Sequence, residues 1–103
     1  MNPEYDFIKP NTVGFTIYSK SNCPYCNKVQ ELLKDRFVST VKCDKYLDDR
    51  EKFLLNMGKL TGKDYSIIRL SFPVVFYEDI FIGGYNDTVD YLNTNVENNR
   101  FGV

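Results

Sequence analysis

The sequence contains no histidine. That absence excludes Ser–His and Cys–His nucleophile pairs and every imidazole-based zinc site. Nor is there an apolar run near the roughly 18–20 residues that cross a bilayer, so no membrane partner is expected. Residues 1–10 lack the basic stretch and apolar core of a secretory signal. Neither sign of charge is in excess: thirteen Lys and Arg stand against fourteen Asp and Glu, a formal −1. Nucleic-acid binding by counterion release needs concentrated positive charge, so no nucleic-acid partner is expected either. Cysteine is scarce and odd in number, with three in all. A structural disulfide framework uses an even set, so the pattern points to a reducing, cytoplasmic setting.

What remains is an ordinary globular composition. The 103 residues are 43% hydrophobic and 26% charged, with eight Tyr and eight Phe to fill a small core. This length suits one domain spanning residues 1–103. No repeat or low-complexity linker divides it.

Residues 13–18 form a short run of strand formers bounded upstream by Pro10 and Asn11. From Pro24 to about Arg36 the period changes: Tyr25, Val29, Leu32 and Leu33 share a helical face, and Pro24 suits a first turn. Residues 37–43 alternate as a second strand. Residues 47–60 return to helical spacing, with Phe53, Leu54, Met57 and Leu60 on one face and Gly62 just past the end. Residues 74–77 and 80–82 read as a hairpin turning at Glu78-Asp79. Asp87 is placed to cap a last helix with Asp90 at its third position and with Val89, Leu92 and Val96 on one face. The order β-α-β-α-β-β-α implies an α/β fold. Its first crossover should be right-handed and parallel and its hairpin antiparallel, giving a four-stranded mixed sheet flanked by helices.

The chemistry is concentrated in Cys23-Pro24-Tyr25-Cys26, between the first strand and the first helix. At a helix start, unpaired backbone N–H groups and the positive end of the dipole favour thiolate over thiol. Lys20, three residues upstream, supplies a second positive charge. A thiol of pKa ~8.5 is only about 3% ionised at pH 7, and lowering it by ~2 units takes about 3 kcal/mol. Cys26 lies one turn further along, placed to attack a mixed disulfide formed at Cys23. Cys23 is thus the nucleophile and Cys26 the resolving thiol. Two inert buried cysteines are the plain alternative. A zinc site is incomplete within one chain, because Cys43 is the one further cysteine; a cluster shared between two chains is the remaining metal option.

These residues resemble the glutaredoxin family over nearly the whole chain. Lys20-Ser21-Asn22-Cys23-Pro24-Tyr25-Cys26 is similar to its dithiol active site, Ser71-Phe72-Pro73 to its Thr-Val-Pro, and Gly83-Gly84-Tyr85-Asn86-Asp87 to its Gly-Gly-x-x-Asp. The resemblance implies a thioredoxin-like fold and glutathione-dependent thiol–disulfide exchange on protein disulfides and glutathione mixed disulfides. Glutathione would be co-substrate, with no resident cofactor or metal. Pro73 would be cis and face Cys23, turning the backbone of Phe72 toward an extended substrate. Asn86 and Asp87 would hold the γ-glutamyl end, Lys20 the glycine carboxylate or the thiolate, and Tyr25 an edge of the groove.

Two departures bear on substrate preference. Residues 62–70 are longer than the family's usual connection, which leaves Arg69, with Lys63 second, to stand for its basic residue near the glycine carboxylate. Phe72 replaces a smaller Val and is expected to reshape the groove floor. The longer connection resembles that of phage and viral members that reduce ribonucleotide reductase, making that enzyme a candidate partner of a monomeric protein. Cys43, outside the motifs, reads as buried and inert. A thioredoxin-like reductase recycled by a flavoprotein, and a glutathione-ligated iron–sulfur carrier, are the alternatives. The Trp and Cys-Gly-Pro-Cys of the former are absent.

Overall fold

The computed structural model describes the backbone of residues 7–102 and the side chains of residues 7–94. Four strands, β1 (Phe15–Ser19), β2 (Val38–Lys42), β3 (Val74–Tyr77) and β4 (Ile80–Gly83), form one sheet in the order β2-β1-β3-β4. β1 runs parallel to β2, Ile17 opposite Thr40, and antiparallel to β3, Ile17 opposite Val75. The hairpin of β3 and β4 closes through Glu78-Asp79, with a register shift between Val75 and Phe76. The expected mixed sheet is therefore present.

Period-two alternation along β1 divides the core. Phe15 and Ile17 face α1 (Pro24–Leu32) and α3 (Tyr85–Gly102), in a cluster with Val29, Leu33, Val75 and the half-buried Leu92. Tyr18 faces the opposite side, where α2 (Arg50–Thr61) delivers Phe53 and Met57 against Val41, Val74 and Phe76. Helices thus cover both faces of the sheet, whose central strand is buried at all five positions.

Several element boundaries differ from the sequence expectation. β1 begins at Phe15, because Gly14 takes φ 78° and lies so close to the Phe37 carbonyl that a side chain there would collide. α1 ends at Leu32: Lys34, Asp35 and Arg36 are exposed, and single turns such as Arg36 N–H to the Leu33 carbonyl (2.9 Å) replace the helix. α3 starts at Tyr85, two residues before the expected cap. A 3-10 turn at Tyr46–Asp49 leads into α2, whose N-terminus Asp49 caps by accepting from the Lys52 N–H. At its other end Gly62 closes the helix at φ 74°. Val96 lies outside the residues whose side chains are described.

The α2 side carries two additions that the periodicity does not show. Residues ahead of β1 lie across it: Phe7 joins the aromatic cluster, and the Tyr18 hydroxyl donates to the Ile8 carbonyl at 2.7 Å. The longer 62–70 connection is pinned by Tyr65, whose hydroxyl meets Thr61 Oγ1 at 3.1 Å, and by buried Leu70. Between this connection and α2 is a cleft of about 660 Å³, lined in part by Leu54, Leu55, Gly58, Lys63 and Tyr65.

Candidate active site

Cys23 is the N-cap of α1, in extended conformation (φ −127°, ψ 97°), and Pro24 occupies the first turn, where its missing N–H costs nothing. The Cys23 sulfur accepts from the Cys26 N–H at 3.2 Å. In a helix N-cap that role usually falls to an oxygen side chain; here sulfur takes it, so the helix start directs an N–H dipole at the atom that must carry negative charge. The two sulfurs are bonded, with Cα atoms 5.2 Å apart, which is the oxidised form of the dithiol. Cys23 is 9% exposed and Cys26 1%. Access from outside therefore favours the first cysteine, as nucleophilic attack requires.

The loop before Cys23 is tied down by a residue the sequence reading did not single out. Asp44, just past β2, accepts from the Ser21 N–H at 3.1 Å and from the Ser21 hydroxyl at 2.7 Å. These bonds, with a smaller contribution from the Lys20 charge, hold the Asp44 carboxyl below its ordinary range. Part of the field of Lys20 is thus directed at Asp44. Asn22 bridges to Cys23 at φ 55°, a conformation asparagine tolerates better than most residues.

The Phe72-Pro73 bond is cis, as the motif led one to expect. The Phe72 ring is half-buried and stacks on Phe53 (centroids 6.0 Å apart, planes 15° apart) at the edge of the α2-side cluster, so part of its bulk packs against the core.

At the start of α3, Gly84 is the residue before the first turn, and Asp87 is the third residue of the helix. Its carboxylate reaches back to accept from the Gly84 N–H at 3.0 Å, the reciprocal half of a capping box. The Thr88 hydroxyl, on a fully buried residue, donates to the Gly84 carbonyl at 2.7 Å. Gly83 sits at φ 132° with Asp87 packed where a side chain would project. Pro73 and Gly84 are neighbours: the Pro73 carbonyl would be 3.7 Å from a methyl placed on Gly84. Asn86 and Asp87 are exposed, as is Tyr25 at the start of α1. Arg69 is exposed and without a hydrogen bond or ion pair among the described residues, whereas Lys63 lines the α2 cleft.

Cys43 is fully buried. Burial pushes its thiol up from 9.0 to about 12, and the neighbouring Asp44 charge adds to the effect. Burial raises the Tyr18 phenol as well. At pH 8, Cys43 of the native reduced protein will resist iodoacetamide and react once unfolded; native labelling at the rate of a free thiol would contradict this. Between about pH 9 and 12 the native state keeps a proton that the unfolded thiol releases. The Cys43 contribution to stability is therefore constant below about pH 9 and is lost progressively as pH rises through that window.

A cysteine pair on the first turn of a helix, a cis proline directly ahead of β3, and a second helix starting next to that proline, all on a four-stranded mixed sheet, define a protein of thioredoxin-like fold. Comparison with known proteins narrows this. A family model described as glutaredoxin matches residues 15–82. Glutaredoxin-C4 of Arabidopsis thaliana is 33% identical over 94 residues, which cover 86% of this chain and 64% of that protein. The chain therefore spans somewhat less than two thirds of that relative. Among solved structures, the holo form of glutaredoxin C1 from Populus tremula x tremuloides superposes with TM-score 0.62 and 26% identity, covering 82% of this chain and 72% of that one. A buckwheat glutaredoxin–glutathione complex superposes with TM-score 0.63 at 22% identity, covering 82% and 73%. The chain belongs to the glutaredoxin family.

Proposed function

We propose that the protein is a glutathione-dependent dithiol oxidoreductase acting on protein disulfides and glutathione mixed disulfides. The carrying observation is the unequal pair: Cys23, the less buried residue, with its sulfur capped by a helix N–H, and the more deeply buried Cys26 bonded to it. The Cys23 thiolate attacks a substrate disulfide, forming one S–S bond and releasing one substrate thiolate, which takes a proton from solvent. Cys26, losing its proton to solvent, attacks the Cys23 sulfur, expels the second substrate thiolate and leaves the Cys23–Cys26 disulfide. Two glutathione thiols, attacking in succession, return the dithiol and leave as glutathione disulfide.

Glutathione as co-substrate is supported by family membership and by the buckwheat glutaredoxin solved with it. Its γ-glutamyl carboxylate fits the N–H groups at the start of α3, beside Asn86, with Asp87 available to the ammonium. Its glycine carboxylate is assigned to Lys20 or Arg69. The Phe72 backbone ahead of Pro73 and the Tyr25 ring border the substrate. A reducing compartment such as the cytoplasm, where glutathione is kept as thiol, suits this cycle. A disulfide of ribonucleotide reductase is a protein substrate to try, proposed on the longer 62–70 connection.

The test couples reduction of a small glutathione mixed disulfide to glutathione reductase. Turnover with glutathione and none with a thioredoxin reductase in its place is expected. The reverse pattern would keep the fold and overturn the co-substrate.

A further inference from the structure

A cation and two rings stand together at the rim between α1 and α3. Lys28, one turn beyond Tyr25 on α1, places its ammonium 4.9 Å from the Tyr25 ring centroid and 6.0 Å from that of Tyr85. The two rings are 5.9 Å apart. Tyr85 is the first residue of α3, directly before Asn86 and Asp87, and Tyr25 lies between the two active cysteines in sequence. The platform thus touches both helix starts that build the site. Tyr25 is 53% exposed and Lys28 is exposed.

No carboxylate neutralises this lysine among the described residues. The nearest acid along the helix, Glu31, is engaged by Lys34 at 2.7 Å. A free lysine side chain samples many rotamers. Holding its ammonium over two rings reduces that freedom in advance, so an arriving anion meets a cation already in place. Beside it lies a shallow cleft bounded by Asn27, Lys28, Glu31, Leu32 and Tyr85, open to an extended segment.

Resting on the function proposed above, we infer that Lys28 on its Tyr25–Tyr85 platform is a specificity-determining residue that receives a carboxylate of the protein substrate. The spacing sets where that carboxylate lies. Five helical residues from Cys23 to Lys28 rise about 7.5 Å, and an extended substrate advances about 3.3 Å per residue. The acidic side chain is therefore two or three residues from the substrate's reactive cysteine. Disulfides embedded in acidic segments are the favoured substrates.

Two peptides test this, alike except that one carries Asp and the other Asn at the second and third positions from a glutathionylated cysteine. kcat/KM for each is measured at low ionic strength with wild type, Lys28→Gln and Lys28→Glu. An exposed charge pair is worth a fraction of a kcal/mol to about 1 kcal/mol, so wild type is expected to prefer the acidic peptide by about two- to fivefold. The ratio should fall to about one in Lys28→Gln and invert in Lys28→Glu. An unchanged ratio overturns the proposal. So does an equal loss on both peptides, which would assign the lysine to the thiolate or to glutathione. If glutathione fails to recycle the enzyme, the function proposed above fails alone. The same ratio can then be read from single-turnover attack by the reduced Cys26→Ser protein.

Discussion

Cys23→Ser will reduce glutathione-coupled turnover to the uncatalysed background, while Cys26→Ser will keep activity toward glutathione mixed disulfides within about tenfold of wild type. The asymmetry follows from the positions of the two sulfurs. Cys23 is the atom on which the α1 N–H dipole converges, and it is the more exposed of the pair. A serine hydroxyl at that position is un-ionised near neutral pH and cannot form an S–S bond. Serine is nevertheless a good N-cap, so the fold should persist and the loss can be read as chemistry. Cys26 acts only after the first mixed disulfide exists. When the substrate is a glutathione mixed disulfide, a second glutathione replaces it. When the substrate is an intramolecular protein disulfide, Cys26→Ser should stall as a trapped mixed disulfide visible by intact-mass measurement. Equal inactivation of both variants on glutathione mixed disulfides would overturn the division of roles.

The largest effect on stability should come from Phe53→Ala. Phe53 is fully buried on α2, with Tyr46 5.9 Å away and Phe7 and Phe72 each 6.0 Å away, centroid to centroid. Truncating a buried phenylalanine costs about 3–5 kcal/mol through lost transfer energy and the cavity left behind. Domains of this size hold roughly 5–15 kcal/mol in all. At roughly 4–8 °C per kcal/mol, Tm should fall by about 12–40 °C. Thermal unfolding followed by circular dichroism measures this directly. A drop of only a few degrees would mean that the ring is not a keystone of the α2-side core. Phe53 also supports Phe72, the residue before the cis proline. Glutathione-coupled activity should therefore disappear together with the fold as the variant is warmed.

What could be seen in the sequence was local. Cysteine as N-cap and proline in the first turn are neighbours in the chain, so their geometry is written in four consecutive residues. The strands and α2 were visible through period and through Gly62, which closes the helix with φ 74°. Long-range partnerships were not. Asp44 meets Ser21 across 23 residues, and nothing in either segment announces the other. Lys28 and Tyr85 converge only because α1 and α3 pack on the same face of the sheet. The last helix began early because an aspartate at its third position can serve the helix start as effectively as one at the cap. Phe72 was read against the groove because motif order places it there. Its ring also has a partner that motif order does not show, the nearly parallel face of Phe53 across the α2-side cluster.

Asp87 has one consequence for anyone dissecting ligand affinity by mutation. One of its carboxylate oxygens is already committed to the Gly84 N–H. An alanine there would unfasten the helix start along with any ammonium contact, and the two losses would arrive as one number. Asparagine keeps an oxygen for the N–H while removing the charge. Comparing it with alanine separates what the residue gives the scaffold from what it gives a guest.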